Sequence, residues 1–129
     1  MENSKYKWDD KTILIAEDIE TSNRYYKAAL RGTNAKVIFV DNGKDAVETC
    51  KKNPKIDIVL MDIHMPEMNG FEATKEIIKI RKDLPVIMQT AYILSGEEKK
   101  SYEAGCVGFL VKPIKYDLFL SSISKYLDK

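Results

Sequence analysis

Short apolar runs alternate along this chain with longer stretches in which apolar residues recur every three or four positions. The short runs predict β-strands, and the longer stretches predict amphipathic helices. The predicted strands are residues 12–16, 36–40, 56–61, 86–89 and 108–111. The predicted helices are residues 20–31, a stretch capped by Asn42 that ends before Asn53, and residues 71–81, 96–104 and 116–127.

Glycines and capping residues mark the predicted helix ends. Gly32 stands where the C-terminus of the first helix favours a left-handed residue, and Gly105 ends the fourth helix. Ser95 and Glu98 have the spacing of a capping box, which predicts that the fourth helix begins near Gly96.

Strands that alternate with helices predict an α/β fold. Each strand must reach the next through a right-handed crossover, so we expect five parallel strands in an open sheet with helices on both faces. In such sheets ligands bind outside the carboxyl ends of the strands. The residues that follow each strand are therefore the candidates for function.

Composition limits the class of protein. The chain has 129 residues, 44% of them apolar, with 21 basic against 20 acidic side chains. This length predicts one domain, which we assign to residues 11–129, with residues 1–10 as an N-terminal extension or linker. The balanced charge gives no support to direct nucleic-acid binding.

The cysteines and the apolar runs indicate a cytoplasmic protein. Cys50 and Cys106 lack the paired spacing of a zinc site or a disulfide scaffold, so we expect reduced, buried thiols. No run approaches the ~20 apolar residues of a membrane span, and residues 1–10 do not resemble a signal peptide. We therefore expect no direct membrane insertion.

Polar side chains at the strand ends carry the candidate chemistry. They are Glu17, Asp18, Asp62, Gln89, Thr90 and Lys112. Three carboxylates at one edge of a sheet repel one another, and a divalent cation such as Mg²⁺, together with the lysine, would make them tolerable. Asp62 ends the central strand, where a carboxylate beside a metal, a hydroxyl and a lysine can attack phosphorus and form an acyl phosphate.

At these residues the chain resembles the receiver domains of two-component response regulators. The matching motifs are residues 13–18 (ILIAED), residues 60–70 (LMDIHMPEMNG), Thr90-Ala91 and Lys112-Pro113. The resemblance covers roughly residues 10–128. It implies the flavodoxin-like receiver fold, in which the five parallel strands have the order 2-1-3-4-5.

The resemblance implies a role for each site residue. Asp62 would be the phosphoacceptor and a ligand of Mg²⁺, or of Mn²⁺ in its place. Asp18 would bind the ion directly, Glu17 through a water molecule, and His64 through its backbone carbonyl.

Other residues would contact the phosphoryl group or respond to it. Thr90 and Lys112 would each bond a phosphoryl oxygen, and a cis bond between Lys112 and Pro113 would direct the lysine towards the site. Phe109 would occupy the aromatic switch position that follows the movement of Thr90.

Four positions depart from the commonest family pattern. Glu17 replaces an aspartate, and Phe109 replaces a tyrosine or histidine, so any switch there must work by packing. His64 and Tyr92 each lie two residues after a key side chain, where they would flank the acyl phosphate. Our hypothesis is that this bulky pair slows its hydrolysis.

The implied function is that of a phosphorelay receiver. A histidine kinase or histidine phosphotransfer domain would donate the phosphoryl group, and the domain would catalyse its own phosphorylation and dephosphorylation without a separate substrate. Phosphorylation would then repack the face made by the fourth helix, the fifth strand and the fifth helix, which a downstream protein or domain reads.

Two other functions stay open. One is an interaction module that never accepts phosphate. The other is an aspartate-nucleophile phosphatase, which would need an acid where His64 stands and a cap domain. Within the favoured class, we expect no effector domain, and residues 8–11 together with Asn23 weakly favour the receiver of a hybrid sensor kinase over a free-standing regulator. The parent protein would then be a kinase with a membrane anchor.

Overall fold

The computed structural model describes residues 5–91 and 94–128. Strands and helices alternate throughout this part of the chain. The strands are β1 (Thr12–Ala16), β2 (Lys36–Val40), β3 (Ile58–Asp62), β4 (Val86–Thr90) and β5 (Gly108–Val111). The helices are α1 (Glu20–Arg31), α2 (Gly43–Lys52), α3 (Gly70–Ile80), α4 (Glu97–Ala104) and α5 (Tyr116–Leu127).

The five strands form one parallel sheet in the order β2-β1-β3-β4-β5. This arrangement confirms the predicted fold class and strand order. Strand β3 lies at the centre of the sheet and is buried along its whole length, as expected for a parallel strand with helices on both faces. The carboxyl ends of β1, β3, β4 and β5 meet at one edge.

Two hydrophobic cores lie on opposite faces of the sheet. Successive residues of a strand point to opposite faces, so Leu14 packs with α2 and α3, whereas Ile13 and Ile15 pack with α1 and α5. Complete burial of a large apolar side chain stabilises the fold by about 1.5–3 kcal/mol. Because each core anchors the sheet from one side, the strand ends are fixed relative to one another.

The segment before β1 contributes to the core on the α1/α5 face. Trp8 is fully buried there. Its indole N–H donates to the Asp128 carboxylate at 2.9 Å, and its backbone N–H donates to the Thr33 carbonyl at 2.7 Å. Residues on this segment therefore close the edge of the sheet opposite the strand carboxyl ends.

The cysteines are both free and buried, as predicted. Burial raises the pKa of each thiol to about 11. Within the described residues, no helix has the length and apolar character needed to span a membrane.

Two predictions about helix ends are wrong. Gly32 has ordinary right-handed helical geometry, with φ −70°, and the left-handed residue is Asn34, with φ 64°. The backbone N–H and the hydroxyl of Thr33 both donate to the Leu30 carbonyl, so the helix end needs no left-handed residue at Gly32.

The capping box at Ser95 does not form. Helix α4 begins at Glu97, and its N-cap is Gly96, which has φ 81° and no side-chain cap. The Glu97 N–H donates to the Leu94 carbonyl, so a tight turn leads into the helix and places Ser95 before the cap position. Gly105 ends α4 as predicted, with φ 116°.

Three strands have the predicted bounds, whereas β3 begins two residues later and ends one residue later than predicted, and β4 ends one residue later. The ladder includes the polar residues Asp62 and Thr90, which pair with Gln89 and Val111. Apolar periodicity stops before such residues, although their backbones continue the sheet. The candidate functional residues Asp62 and Thr90 are therefore the last residues of their strands.

Candidate functional site

Three carboxylates converge at the carboxyl edge of the sheet, as the sequence predicts. One oxygen from each of Glu17, Asp18 and Asp62 lies within 4.8 Å of the others. Glu17 is placed by the end of β1, since its N–H donates to the Val40 carbonyl on the neighbouring strand at 3.0 Å. Asp62 is the last residue of β3.

The carboxylates differ in their access to solvent. Glu17 is fully buried and Asp62 is 4% exposed, whereas Asp18 is exposed. The Glu17 side chain is held from one side by the Ile19 N–H, which donates to its Oε2 at 3.2 Å. The cluster is thus open on the Asp18 side and closed beneath Glu17 and Asp62.

Lys112 completes the charged group. Its Nζ forms an ion pair with Glu17 Oε1 and lies 4.0 Å from Asp62 Oδ2. The Lys112 N–H donates to the Thr90 carbonyl at 2.7 Å, and the Lys112-Pro113 bond is cis, as the resemblance implies. The ion pair places the lysine ammonium between Glu17, which follows β1, and Asp62 at the end of β3.

One ammonium group does not balance the charge of the cluster. The pKa of Asp62 is raised to about 7, first by burial and then by the negative charge of Glu17, with a smaller contribution from Asp18. Lys112 lowers it, but not enough to offset those effects. The site therefore favours a species that brings positive charge to Asp62.

The donor set fits a small divalent cation. Carboxylate oxygens are the ligands that Mg²⁺ prefers, and an octahedral ion with bonds of about 2.1 Å has ligand oxygens roughly 3–4 Å apart. One oxygen from each of Glu17, Asp18 and Asp62 lies within 4.8 Å of the others, so a single ion can be held between them directly or through water. The exposed side at Asp18 leaves room for the water ligands that Mg²⁺ usually keeps.

A glycine brings α3 against the carboxyl end of β3. A Cβ added at Gly70 would lie 2.3 Å from the Asp62 carbonyl oxygen, and the Gly70 N–H donates to the Ile63 carbonyl at 2.8 Å. The capping box at this helix joins Asn69 and Glu72. These contacts hold the loop between β3 and α3 beside the site.

The remaining predicted site residues lie on neighbouring elements. Thr90 is fully buried at the end of β4, and Phe109 is partly buried on β5, against the core of the α2/α3 face. His64 follows β3, and its Nε2 lies 3.3 Å from Glu97 Oε1 at the start of α4. Tyr92 lies outside the described residues, so its place beside His64 stays a prediction.

Two residues near the site have no role assigned from the sequence, although Gln89 is among the polar residues at the strand ends. Gln89 on β4 is fully buried, and the Tyr26 hydroxyl of α1 donates to its Oε1 at 2.8 Å. Gln89 pairs in register with Asp62. The sequence feature that points to Gln89 is a polar amide inside an otherwise apolar strand.

Comparison with known proteins points to one family. A model of the family described as "Response regulator receiver domain" matches residues 13–124. The polar-differentiation response regulator DivK of Brucella anthropi is 31% identical over 123 residues, which cover 91% of this chain and 96% of that protein.

Solved structures agree with the sequence comparison. The receiver domain of a sensor histidine kinase from Pseudomonas aeruginosa PAO1 matches with a TM-score of 0.84 and 28% identity, over 92% of this chain and 98% of that one. That structure holds a magnesium ion coordinated in its active site cleft. A CheY-like receiver domain protein from Methanospirillum hungatei JF-1 matches with a TM-score of 0.84 and 26% identity, over 92% of this chain and 94% of that one.

Proposed function

Because this chain belongs to the response regulator receiver domain family, we propose that Asp62 accepts a phosphoryl group from a phosphohistidine on a histidine kinase or phosphotransfer domain. The observation that carries this proposal is the convergence of Asp62, Glu17 and Asp18 within 4.8 Å, beside Lys112. No other group of three or more acidic, histidine or cysteine side chains with metal-ligand spacing occurs among the described residues.

The proposed reaction is a phosphoryl transfer in line. A carboxylate oxygen of Asp62 forms a bond to phosphorus while the phosphorus–nitrogen bond of the donor breaks, and the imidazole leaves with the electron pair of that bond. Lys112 lies 4.0 Å from Asp62 Oδ2 and can offset negative charge on the transferred group. Thr90, buried at the end of the next strand, is the proposed donor to a second phosphoryl oxygen.

We propose that the carboxylates hold Mg²⁺, with Mn²⁺ as an alternative. Asp18 and Asp62 would be direct ligands, Glu17 would act through water, and His64 would contribute its backbone carbonyl. When bound, the ion supplies positive charge that stabilises the transferring phosphoryl group. The raised pKa of Asp62 is consistent with this proposal, because burial and then the neighbouring charge of Glu17 disfavour its ionised form unless positive charge is brought to it.

The proposed output surface is the face formed by α4, β5 and α5. Several large apolar side chains on these elements and at their ends are exposed, which is typical of a surface that a partner covers. They are Tyr102, Val107, Val111 and Leu118. Phosphorylation would draw Thr90 towards the phosphoryl group, and Phe109 would repack into the vacated space. A downstream protein or domain would read the altered face.

The decisive experiment is incubation with a small-molecule phosphodonor and Mg²⁺, followed by mass spectrometry. We expect the wild-type protein to gain one phosphoryl group and the Asp62→Asn variant to gain none. Asp83→Asn is the matched control, since Asp83 is an exposed carboxylate that precedes β4 at the opposite edge of the sheet. A wild-type protein that stays unmodified would favour a phosphorylation-independent interaction module.

A further inference from the structure

Gln89 lies beside the proposed phosphoacceptor on the same face of the sheet. It pairs in register with Asp62 on β3 and with Leu110 on β5. Residues paired in this way point to the same face of the sheet. Lys112 lies two residues beyond Leu110, so its side chain points to the same face as that of Leu110. The side chains of Asp62, Gln89 and Lys112 therefore form one row on the α1/α5 face.

Only one of the two polar atoms of the Gln89 side-chain amide has a hydrogen-bond partner among the described residues. The side chain is fully buried, and its Oε1 accepts a hydrogen bond from the Tyr26 hydroxyl at 2.8 Å. Its Nε2 has no hydrogen-bond partner among the described residues. Burial of an amide donor without an acceptor is costly and uncommon in folded proteins. This row therefore contains a donor for which the described part of the unphosphorylated protein provides no acceptor.

Tyr26 fixes the orientation of that amide. Its ring stacks on Phe119 of α5 with the centroids 5.4 Å apart. Burial, followed by the negative charges of Glu17 and Asp62, raises the pKa of the phenol, so it stays protonated and remains a donor. Because the Tyr26 hydroxyl holds Oε1 of Gln89, the amide nitrogen is directed away from Tyr26.

We propose that Gln89 is a positioning residue for the aspartyl phosphate: its free amide N–H donates to an oxygen of the phosphorylated Asp62 side chain, and Tyr26 holds the amide in place. This inference rests on the proposed phosphorylation of Asp62. Phosphorylation adds acceptor oxygens to the row, whereas the free carboxylate receives no hydrogen bond from Gln89. A hydrogen bond that exists only in the phosphorylated state shifts the equilibrium towards that state.

The first test measures the affinity for beryllofluoride, a phosphoryl mimic, in the presence of Mg²⁺. Gln89→Met keeps the length of the side chain and removes the N–H donor; it also removes the hydrogen bond from Tyr26, but does so in the free and the bound protein alike. Loss of one hydrogen bond is expected to weaken binding about 3-fold to 10-fold. Met88→Leu is the matched control, because Met88 is the adjacent buried residue in the core on the opposite face. We expect this variant to bind like the wild-type protein.

The second test is spectroscopic and needs no Gln89 variant. Gln89 is the single glutamine of the chain, so ¹⁵N labelling of glutamine side-chain amides gives one assigned pair of NMR signals. We expect one amide proton to shift downfield and to exchange more slowly when beryllofluoride binds. Tyr26→Phe should abolish this change, because it releases the Gln89 amide.

Two results would overturn the inference. One is a Gln89 amide signal that saturating beryllofluoride leaves unchanged, and the other is a folded Gln89→Met variant that binds beryllofluoride as tightly as the wild-type protein. If Gln89→Met does not fold, the wild-type spectrum decides. A wild-type protein that neither binds beryllofluoride nor gains a phosphoryl group would refute the proposed function, and this inference with it.

Discussion

Asp62 combines burial with two neighbouring carboxylates, and this combination costs stability when no cation is bound. Its pKa is raised to about 7, first by burial and then by Glu17, whereas an aspartate in an unfolded chain has a pKa of about 4. Between these two values the folded protein binds a proton that the unfolded chain has released. The free energy of unfolding therefore falls as the pH rises from about 4 to about 7.

Substitution of Asp62 should remove this pH dependence. We expect Asp62→Asn to be more stable than the wild-type protein above about pH 7 in metal-free buffer, by about 1–4 kcal/mol. The difference should shrink as the pH falls below about 7 and vanish below about 4, where Asp62 is neutral in both states. Urea denaturation with a chelator present, at several pH values, measures it.

The control for this prediction is again Asp83→Asn. Asp83 is exposed and lies away from the carboxylate cluster, so its substitution should leave the pH profile unchanged. Equal stability of wild type and Asp62→Asn at all pH values would show that the ionised Asp62 carboxylate does not destabilise the folded protein. If the carboxylates hold Mg²⁺ as proposed, its addition should stabilise the wild-type protein more than Asp62→Asn, because a ligand of the folded state raises the free energy of unfolding.

At the scale of elements, the close contact between α3 and β3 decides how the site is built. Gly70 is the first residue of α3, and any Cβ there would overlap the Asp62 carbonyl oxygen at 2.3 Å. Because the contact is with backbone, neither partner can move without disturbing the strand or the helix. The glycine thus sets the distance between β3, which carries Asp62, and the loop that carries His64.

Gly70→Ala should therefore destabilise the protein by about 3 kcal/mol or more, as expected for a steric overlap that backbone must absorb. Gly108→Ala is the matched control. A Cβ at Gly108 would meet Ile87 side-chain atoms at 3.5 Å, an ordinary contact, so we expect a change within about 1 kcal/mol. Chemical denaturation of the two variants measures the difference, and equal effects would contradict the prediction.

At the scale of the whole molecule, the segment before β1 and the end of α5 close the sheet edge opposite the site. Trp8 is fully buried, and its N–H donates to Asp128 at 2.9 Å. The contact joins residues that are distant in sequence and leaves the carboxyl edge of the sheet open. The Trp8 contacts and the proposed phosphoryl site therefore lie at opposite ends of the molecule.

We expect Trp8→Ala to destabilise the protein by about 3–5 kcal/mol, because it leaves a cavity on the α1/α5 face. Trp8→Phe should cost less, since it retains an aromatic ring. Asp128→Asn should resemble the wild-type protein, because its side-chain oxygen can still accept the indole hydrogen bond. Thermal unfolding measures all three, and a Trp8→Ala variant as stable as wild type would contradict the packing described above.

The spacing of apolar residues was enough to predict every strand and helix of the described residues. This spacing and the helix caps depend only on residues that are close together in the sequence. The ends were less predictable. Ser95 has the spacing of a cap, but a left-handed turn at Gly96 displaces it. Gly32 lies in a helical turn because Thr33 satisfies the preceding carbonyl.

The sequence by itself determined the fold class and the convergence of Glu17, Asp18, Asp62 and Lys112, since the carboxyl ends of parallel strands share one edge. Tertiary structure alone decided which side chains contact one another there. Lys112 pairs with Glu17, Tyr26 holds Gln89, and His64 meets Glu97. These contacts depend on strand register, rotamers and helix packing. All three arise from interactions between residues far apart in the chain, so the spacing of apolar residues does not predict them.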